Sequence, residues 1–163
     1  GRTLDFFQAV MQHPTYDDYW RALSTRLRAA TVQAPAQIFA GWYDVYCNAD
    51  LEMWALLRAA GRPARIYIGP WGHNLNPAMP QADFGAAAGK PLRSLEIEWF
   101  DAWVKGSGDP PESAVHYFVL GKNEWRESAT WPPHGHTPTA YYLDSMKGAN
   151  SLNGDGRLVG DYA

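Results

Sequence analysis

The sequence predicts an α/β protein, a parallel sheet with flanking helices that gives way from about residue 109 to the first strands of a β-sandwich. Three observations carry that expectation. Ala36-Gln37-Ile38-Phe39-Ala40 and Ala64-Arg65-Ile66-Tyr67-Ile68 are short apolar runs of the kind that form buried strands. Between them Leu51, Met53, Trp54, Leu56 and Leu57 recur at helical spacing from Ala49 to Ala60, with Gly61 as a stop, so the segment is one βαβ unit whose crossover demands parallel strands. Beyond Ala114 the pattern changes to short strand-like runs, Val115 to Leu120, Trp125 to Arg126 and Thr139 to Leu143, parted by Gly, Asn and Pro.

Taken in order, Leu4, Phe7, Val10 and Met11 fall on one face of a first helix that His13-Pro14 ends. Thr15 is an N-cap for a second short helix with Tyr19, Trp20 and Leu23, and Asp18 stands at the capping-box position. Asp17 and Asp18 could pass for paired catalytic carboxylates, but a helix N-terminus attracts acids for dipole reasons alone. Leu27 to Gln33 leads back to the sheet, and Pro35 suits the first residue of a strand. After the βαβ unit, Asn74 to Pro91 is a long loop, in which Asp83-Phe84-Gly85 matches a kinase magnesium motif by letters only. Leu92, Leu95, Trp99, Trp103 and Val104 then mark an amphipathic helix ending at Gly106, with a solvated linker to Pro111. His134-Gly135-His136 lacks further ligands at metal spacing, and Asn153-Gly154-Asp155-Gly156 reads as a hairpin turn.

The chemistry collects at the ends of the two predicted parallel strands. Asp44 follows the first and His73 the second, so both emerge at the carboxyl edge, where open α/β sheets keep their sites. An acid and then a histidine in that chain order is the second half of a Ser, Asp, His triad: the carboxylate fixes the imidazole tautomer and the imidazole takes a proton from the nucleophile. No Gly-x-Ser-x-Gly elbow occurs, and no serine stands between a strand-like run and a helix. The expectation is therefore that the nucleophile lies upstream of Gly1. Cys47, three residues past Asp44 at a helix start, is a candidate nucleophile on paper and a small buried side chain on the plainer reading. Trp42 and Tyr46 flank the acid and are expected to border the acyl pocket, although Trp42 serves equally well as a core aromatic.

Gly41-Trp42-Tyr43-Asp44, Gly69-Pro70-Trp71-Gly72-His73, Asp83-Phe84-Gly85 and Trp99-Phe100-Asp101-Ala102-Trp103-Val104-Lys105-Gly106, in this order, resemble the cocaine esterase and Xaa-Pro dipeptidyl-peptidase family of serine hydrolases. His13-Pro14-Thr15-Tyr16-Asp17-Asp18-Tyr19-Trp20 before them fits too, as do Gly121, Trp125-Arg126 and Trp131-Pro132-Pro133 after them. The resemblance implies the C-terminal part of an α/β-hydrolase fold: residues 1–30 as the end of a helical cap, 31–108 as the last part of the hydrolase domain, and 109–163 as the start of a β jelly roll. It implies hydrolysis of an ester or amide through an acyl-enzyme, with His73 as base then acid and Asp44 orienting it. Related amino-acid ester hydrolases carry acids shortly after this Asp to hold a substrate ammonium. Tyr46 and Cys47 stand there instead, which favours an apolar or aromatic acyl group. Two alternatives remain open, a peptidase releasing Xaa-Pro dipeptides and a non-catalytic binding or assembly fragment.

A net charge of −3 with interspersed signs offers no basic face for nucleic acid or anionic lipid, so a small ester, amide or short peptide is the expected partner. Apolar runs of about five residues are too short to span a membrane. The single cysteine excludes an internal disulfide and leaves the compartment, cytoplasmic or secreted, open. No cofactor or metal is expected, and self-association into a homo-oligomer is compatible with the exposed edges of an incomplete sandwich.

Overall fold

The computed structural model describes residues 2–78 and 82–161. The side chain of Leu4 and residues 79–81 of the Asn74 to Pro91 loop lie outside the described residues. The chain divides into two units, Gly1–Trp131 and Pro132–Ala163.

The first unit is α/β. Helices α1 (Arg2–Gln12) and α2 (Asp18–Leu23) and a 3-10 segment (Arg26–Thr31) precede strand β1 (Ala36–Gly41), helix α3 (Cys47–Ala59) and strand β2 (Ala64–Gly69). Helix α4 (Leu92–Phe100) runs on into one π turn (Asp101–Lys105) and stops at Gly106, whose left-handed φ of 68° a side chain would resist. Strands β3 (Val115–Val119) and β4 (Glu124–Ser128) follow.

The four strands form one sheet in the order β1-β2-β3-β4, with β1, β2 and β3 parallel and β4 antiparallel to β3. Val115 to Ser128, expected to open a sandwich, thus continues the sheet of the βαβ unit. A hairpin on the edge of an α/β sheet and a hairpin of a sandwich share the same alternation and turn residues, so the sequence pattern does not separate them. What does separate them is the partner: Ile66 to Ile68 pair with Val115 to Tyr117, and Val115 and Phe118 are fully buried.

Alternation along the strands sorts residues onto two faces. Ile38, Ala40, Ile66, Ile68 and Val115 meet Trp54, Leu57 and Cys47 of α3 in the main core. The Trp54 indole is satisfied by the Ala64 carbonyl at 3.0 Å. The other face carries Gln37, Arg65, Tyr67 and His116, and α4 meets it at Gln37, which donates to the Leu95 carbonyl at 3.1 Å, and at Arg65. Arg65, whose guanidinium is buried, bonds to Gln37 Oε1 and Glu98 and lies over the rings of Tyr67 and Trp99, 5.3 Å from each centroid. A buried guanidinium needs such partners, because leaving it unpaired would cost several kcal/mol, roughly 3–5.

Local signals explain the remaining turns. Asp17 rather than Thr15 caps α2, its carboxylate accepting from the Tyr19 amide at 3.0 Å and meeting His13 Nδ1 at 2.6 Å. One aspartate thereby closes the α1 to α2 corner twice. Asp83-Phe84-Gly85 is an Asx turn, with Asp83 accepting from the Gly85 amide at 2.8 Å and Phe84 buried beside Ala88 and Phe118.

The second unit holds a two-stranded hairpin, β5 (Tyr142–Asp144) and β6 (Arg157–Val159). Asn153-Gly154-Asp155-Gly156 ends its long connection, where Asp155 accepts from Ser145 Oγ and from the amides of Met146, Lys147 and Gly148. Those donors hold the Asp155 carboxyl well below the usual carboxylate range.

Candidate active site

The loops after β1 and β2 are fastened to each other beyond the strands. The Trp42 amide donates to the Gly69 carbonyl at 2.9 Å and the Tyr43 amide to the Trp71 carbonyl at 3.0 Å, so the ladder runs on past Gly41 and Gly69. Both glycines are required by close approach. A Cβ on Gly41 would lie 2.0 Å from the Trp71 carbonyl oxygen, and one on Gly69 would lie 2.2 Å from the Trp71 indole. Trp71 is fully buried, its Nε1 donating to the Ala88 carbonyl at 2.9 Å. The strand ends can converge this closely only because neither glycine has a side chain.

This convergence sets Asp44 Oδ2 3.0 Å from His73 Nδ1. The second oxygen, Oδ1, accepts from the Tyr46 amide at 3.0 Å, and the turn passes into α3 through the Cys47 amide, which donates to the Asp44 carbonyl. The Tyr46 amide first and then His73 favour the carboxylate and outweigh desolvation, so Asp44 titrates below the usual aspartate range and is ionised at neutral pH. The pair is strongly asymmetric: the Asp44 side chain is 6% exposed and that of His73 78%. With Nδ1 donating to the carboxylate, Nε2 is the basic nitrogen.

Tyr46 and Trp42, the aromatics flanking the acid, part company. The Tyr46 ring meets that of His73 edge-on at 5.3 Å and is 57% exposed. Trp42 packs against the α3 core, with its ring 5.9 Å from that of Trp131 and its Nε1 donating to the Phe118 carbonyl at 2.7 Å. Cys47 is 8% exposed, and burial together with Asp50 and Asp44 pushes its thiol up to about 11. It is a thiol rather than a thiolate at neutral pH. Asp50 stands in the first turn of α3, where an acid is ordinary for a helix start.

The arrangement defines a class: an α/β protein with a mainly parallel sheet that holds an acid and an imidazole together at its carboxyl edge. Residues 2–74 match the X-Pro dipeptidyl-peptidase (S15) family. The chain is also 32% identical over 155 residues to cocaine esterase of Rhodococcus sp. (strain MB1 Bresler), which covers 91% of this chain and 27% of that protein. Among solved structures, an aminopeptidase from a marine sediment archaeon, Thaumarchaeota archaeon, superposes with a TM-score of 0.67 at 20% identity, over 85% of this chain and 27% of that one. The family match and the likeness to cocaine esterase support the cocaine esterase and Xaa-Pro dipeptidyl-peptidase family for this chain, which spans about a quarter of the length of cocaine esterase and of the archaeal aminopeptidase.

Proposed function

We propose that this chain supplies the acid and the base of a serine-hydrolase triad that cleaves an ester or amide bond through an acyl-enzyme. The observation that carries the reading is the 3.0 Å contact between a buried carboxylate and an exposed imidazole at the carboxyl edge of parallel strands. In this reading His73 Nε2 takes the proton of a serine hydroxyl as that oxygen attacks the carbonyl carbon. The imidazolium, stabilised by Asp44, then returns the proton to the leaving group. A water molecule deprotonated by the same nitrogen releases the acid. The serine and the oxyanion donors would come from sequence preceding these residues, since no Gly-x-Ser-x-Gly elbow stands within them. Tyr46, beside the His73 ring, would border the acyl group, and Trp42 would hold the strand end in place.

The test is hydrolysis of p-nitrophenyl esters and of Xaa-Pro p-nitroanilides by the full-length protein. His73→Ala and Asp44→Asn should each lower kcat about 10³-fold or more, with KM little changed. Undiminished turnover in His73→Ala would refute the assignment. Preference between the two substrate series decides between an esterase and a dipeptidyl-peptidase.

A further inference from the structure

Among the described residues two that are not glycine take a positive φ, Asn123 at 54° and Leu75 at 56°. Asparagine is at home there, because its short polar side chain bonds locally, whereas leucine is strained. Leu75 stands just past His73, and its amide donates to the Gly72 carbonyl at 3.0 Å. That bond closes a tight turn from Gly72 to Leu75, with His73 and Asn74 at its two corners. The exposed imidazole thus projects from a corner whose closure depends on a leucine in an unfavourable conformation.

The neighbouring side chain ties that leucine down. Asn74 Oδ1 accepts from the Asn76 amide at 3.1 Å, an Asx turn that spans Leu75 and opposes its relaxation to negative φ. Asn76 repeats the device one step further on, accepting from the Ala78 amide at 2.9 Å across Pro77. A proline ring fixes φ at about −65° by itself, so the second turn restrains nothing that is strained. His73 has few other restraints: Asp44 holds Nδ1, and the Tyr46 ring meets it edge-on. The direction in which the ring leaves the backbone is set by the turn.

We propose that Asn74 is a positioning residue for His73: by bonding across Leu75 it keeps the turn from Gly72 to Leu75 closed and the imidazole aimed at Asp44. Its effect on turnover rests on the hydrolase reading above, whereas its effect on the Asp44 to His73 bond does not.

Two measurements on the full-length protein test it. The first is hydrolysis of p-nitrophenyl esters. Asn74→Ala should lower kcat about fivefold with KM little changed, the weight of one exposed hydrogen bond. Glycine accepts a positive φ without help, so Leu75→Gly added to Asn74→Ala should restore most of the loss. Leu75→Val, with a branched side chain that tolerates this region least, should reproduce the loss with Asn74 intact. Asn76→Ala, which removes the turn over Pro77, should leave kcat unchanged. An unchanged kcat in Asn74→Ala, an equal loss in Asn76→Ala, or a loss that Leu75→Gly does not restore overturns the proposal and leaves the hydrolase reading intact. The second measurement, independent of turnover, follows exchange of the His73 Nδ1 proton with water by NMR spectroscopy, which the bond to Asp44 slows. Asn74→Ala should speed this exchange about fivefold and Asn76→Ala should not. Faster exchange in a protein that cleaves no ester or anilide supports the positioning role and sinks the hydrolase reading alone. Unchanged exchange in Asn74→Ala overturns the proposal.

Discussion

Acidification tests how the sheet face that carries Arg65 and Tyr67 is built, and His116 is the group to follow. Its ring stacks on Tyr67 at 4.3 Å, nearly parallel, and its side chain is 19% exposed. Burial, then the charges of Arg65 and Lys90, push its pKa down from 6.5 to about 4, while Glu112 and Glu98 pull weakly the other way. Glu127 Oε2 lies 3.1 Å from Nδ1 and would favour an imidazolium, yet a neutral ring satisfies the same contact by donating Nδ1–H, so burial decides. The sign follows from linkage. Between pH 6.5 and 4 the unfolded chain binds a proton that the native ring refuses, so stability is complete above 6.5 and falls as the pH drops towards 4. The full shift corresponds to about 2 kcal/mol between pH 7 and 5, and the residual exposure and Glu127 reduce this to about 1 kcal/mol. Urea unfolding of wild type and His116→Phe, which keeps the stack, should show the gap between them changing by that amount over this range, with the wild type losing more. A pH-independent gap, or a wild type that gains on the variant as pH falls, would refute the reasoning and make Glu127 the dominant partner.

Gly41→Ala and Gly69→Ala should each cost about 3 kcal/mol or more in chemical denaturation, whereas Gly72→Ala, whose added Cβ would meet nothing nearer than 3.9 Å, should stay within about 0.5 kcal/mol. Trp42→Phe should lose about 1 kcal/mol with the missing bond to the Phe118 carbonyl while leaving the ranking of acyl groups unchanged. Tyr46→Ala should do the reverse, altering that ranking at little cost in melting temperature. Cys47 should react with iodoacetamide at pH 8 far more slowly than a free thiol in solution, and rapid labelling of the folded protein would contradict a pKa of about 11.

The βαβ unit was readable because each of its signals is local. An apolar run, a helical period and a stopping glycine need no knowledge of partners, and the parallel pairing of Ala36–Gly41 with Ala64–Gly69 follows from connection length. The nearness of Asp44 and His73 is a consequence of that pairing and was readable for the same reason. The setting of β3 was not readable, since Val115 to Val119 chooses between two sheets by long-range contacts that its own residues do not declare. Trp42 was ambiguous on the same ground: only the Phe118 carbonyl, 76 positions away, shows where its indole points. Asp155 reads as part of a turn, and its letters do not declare that its carboxylate gathers donors from up to ten residues back.

The glycines at 41 and 69 also bear on how this site can change over generations. The spacing of acid and histidine is set by the same buried tryptophan that lets the strand ends meet, so substitutions at 41, 69 or 71 are screened for folding before any effect on turnover can be seen. Residues 43, 45 and 46 stand outside that constraint: their side chains are exposed, and only the backbone of the turn is tied down. A library that randomises those three positions explores new substrates at nearly constant stability, while one that includes either glycine spends most of its members on chains that never fold.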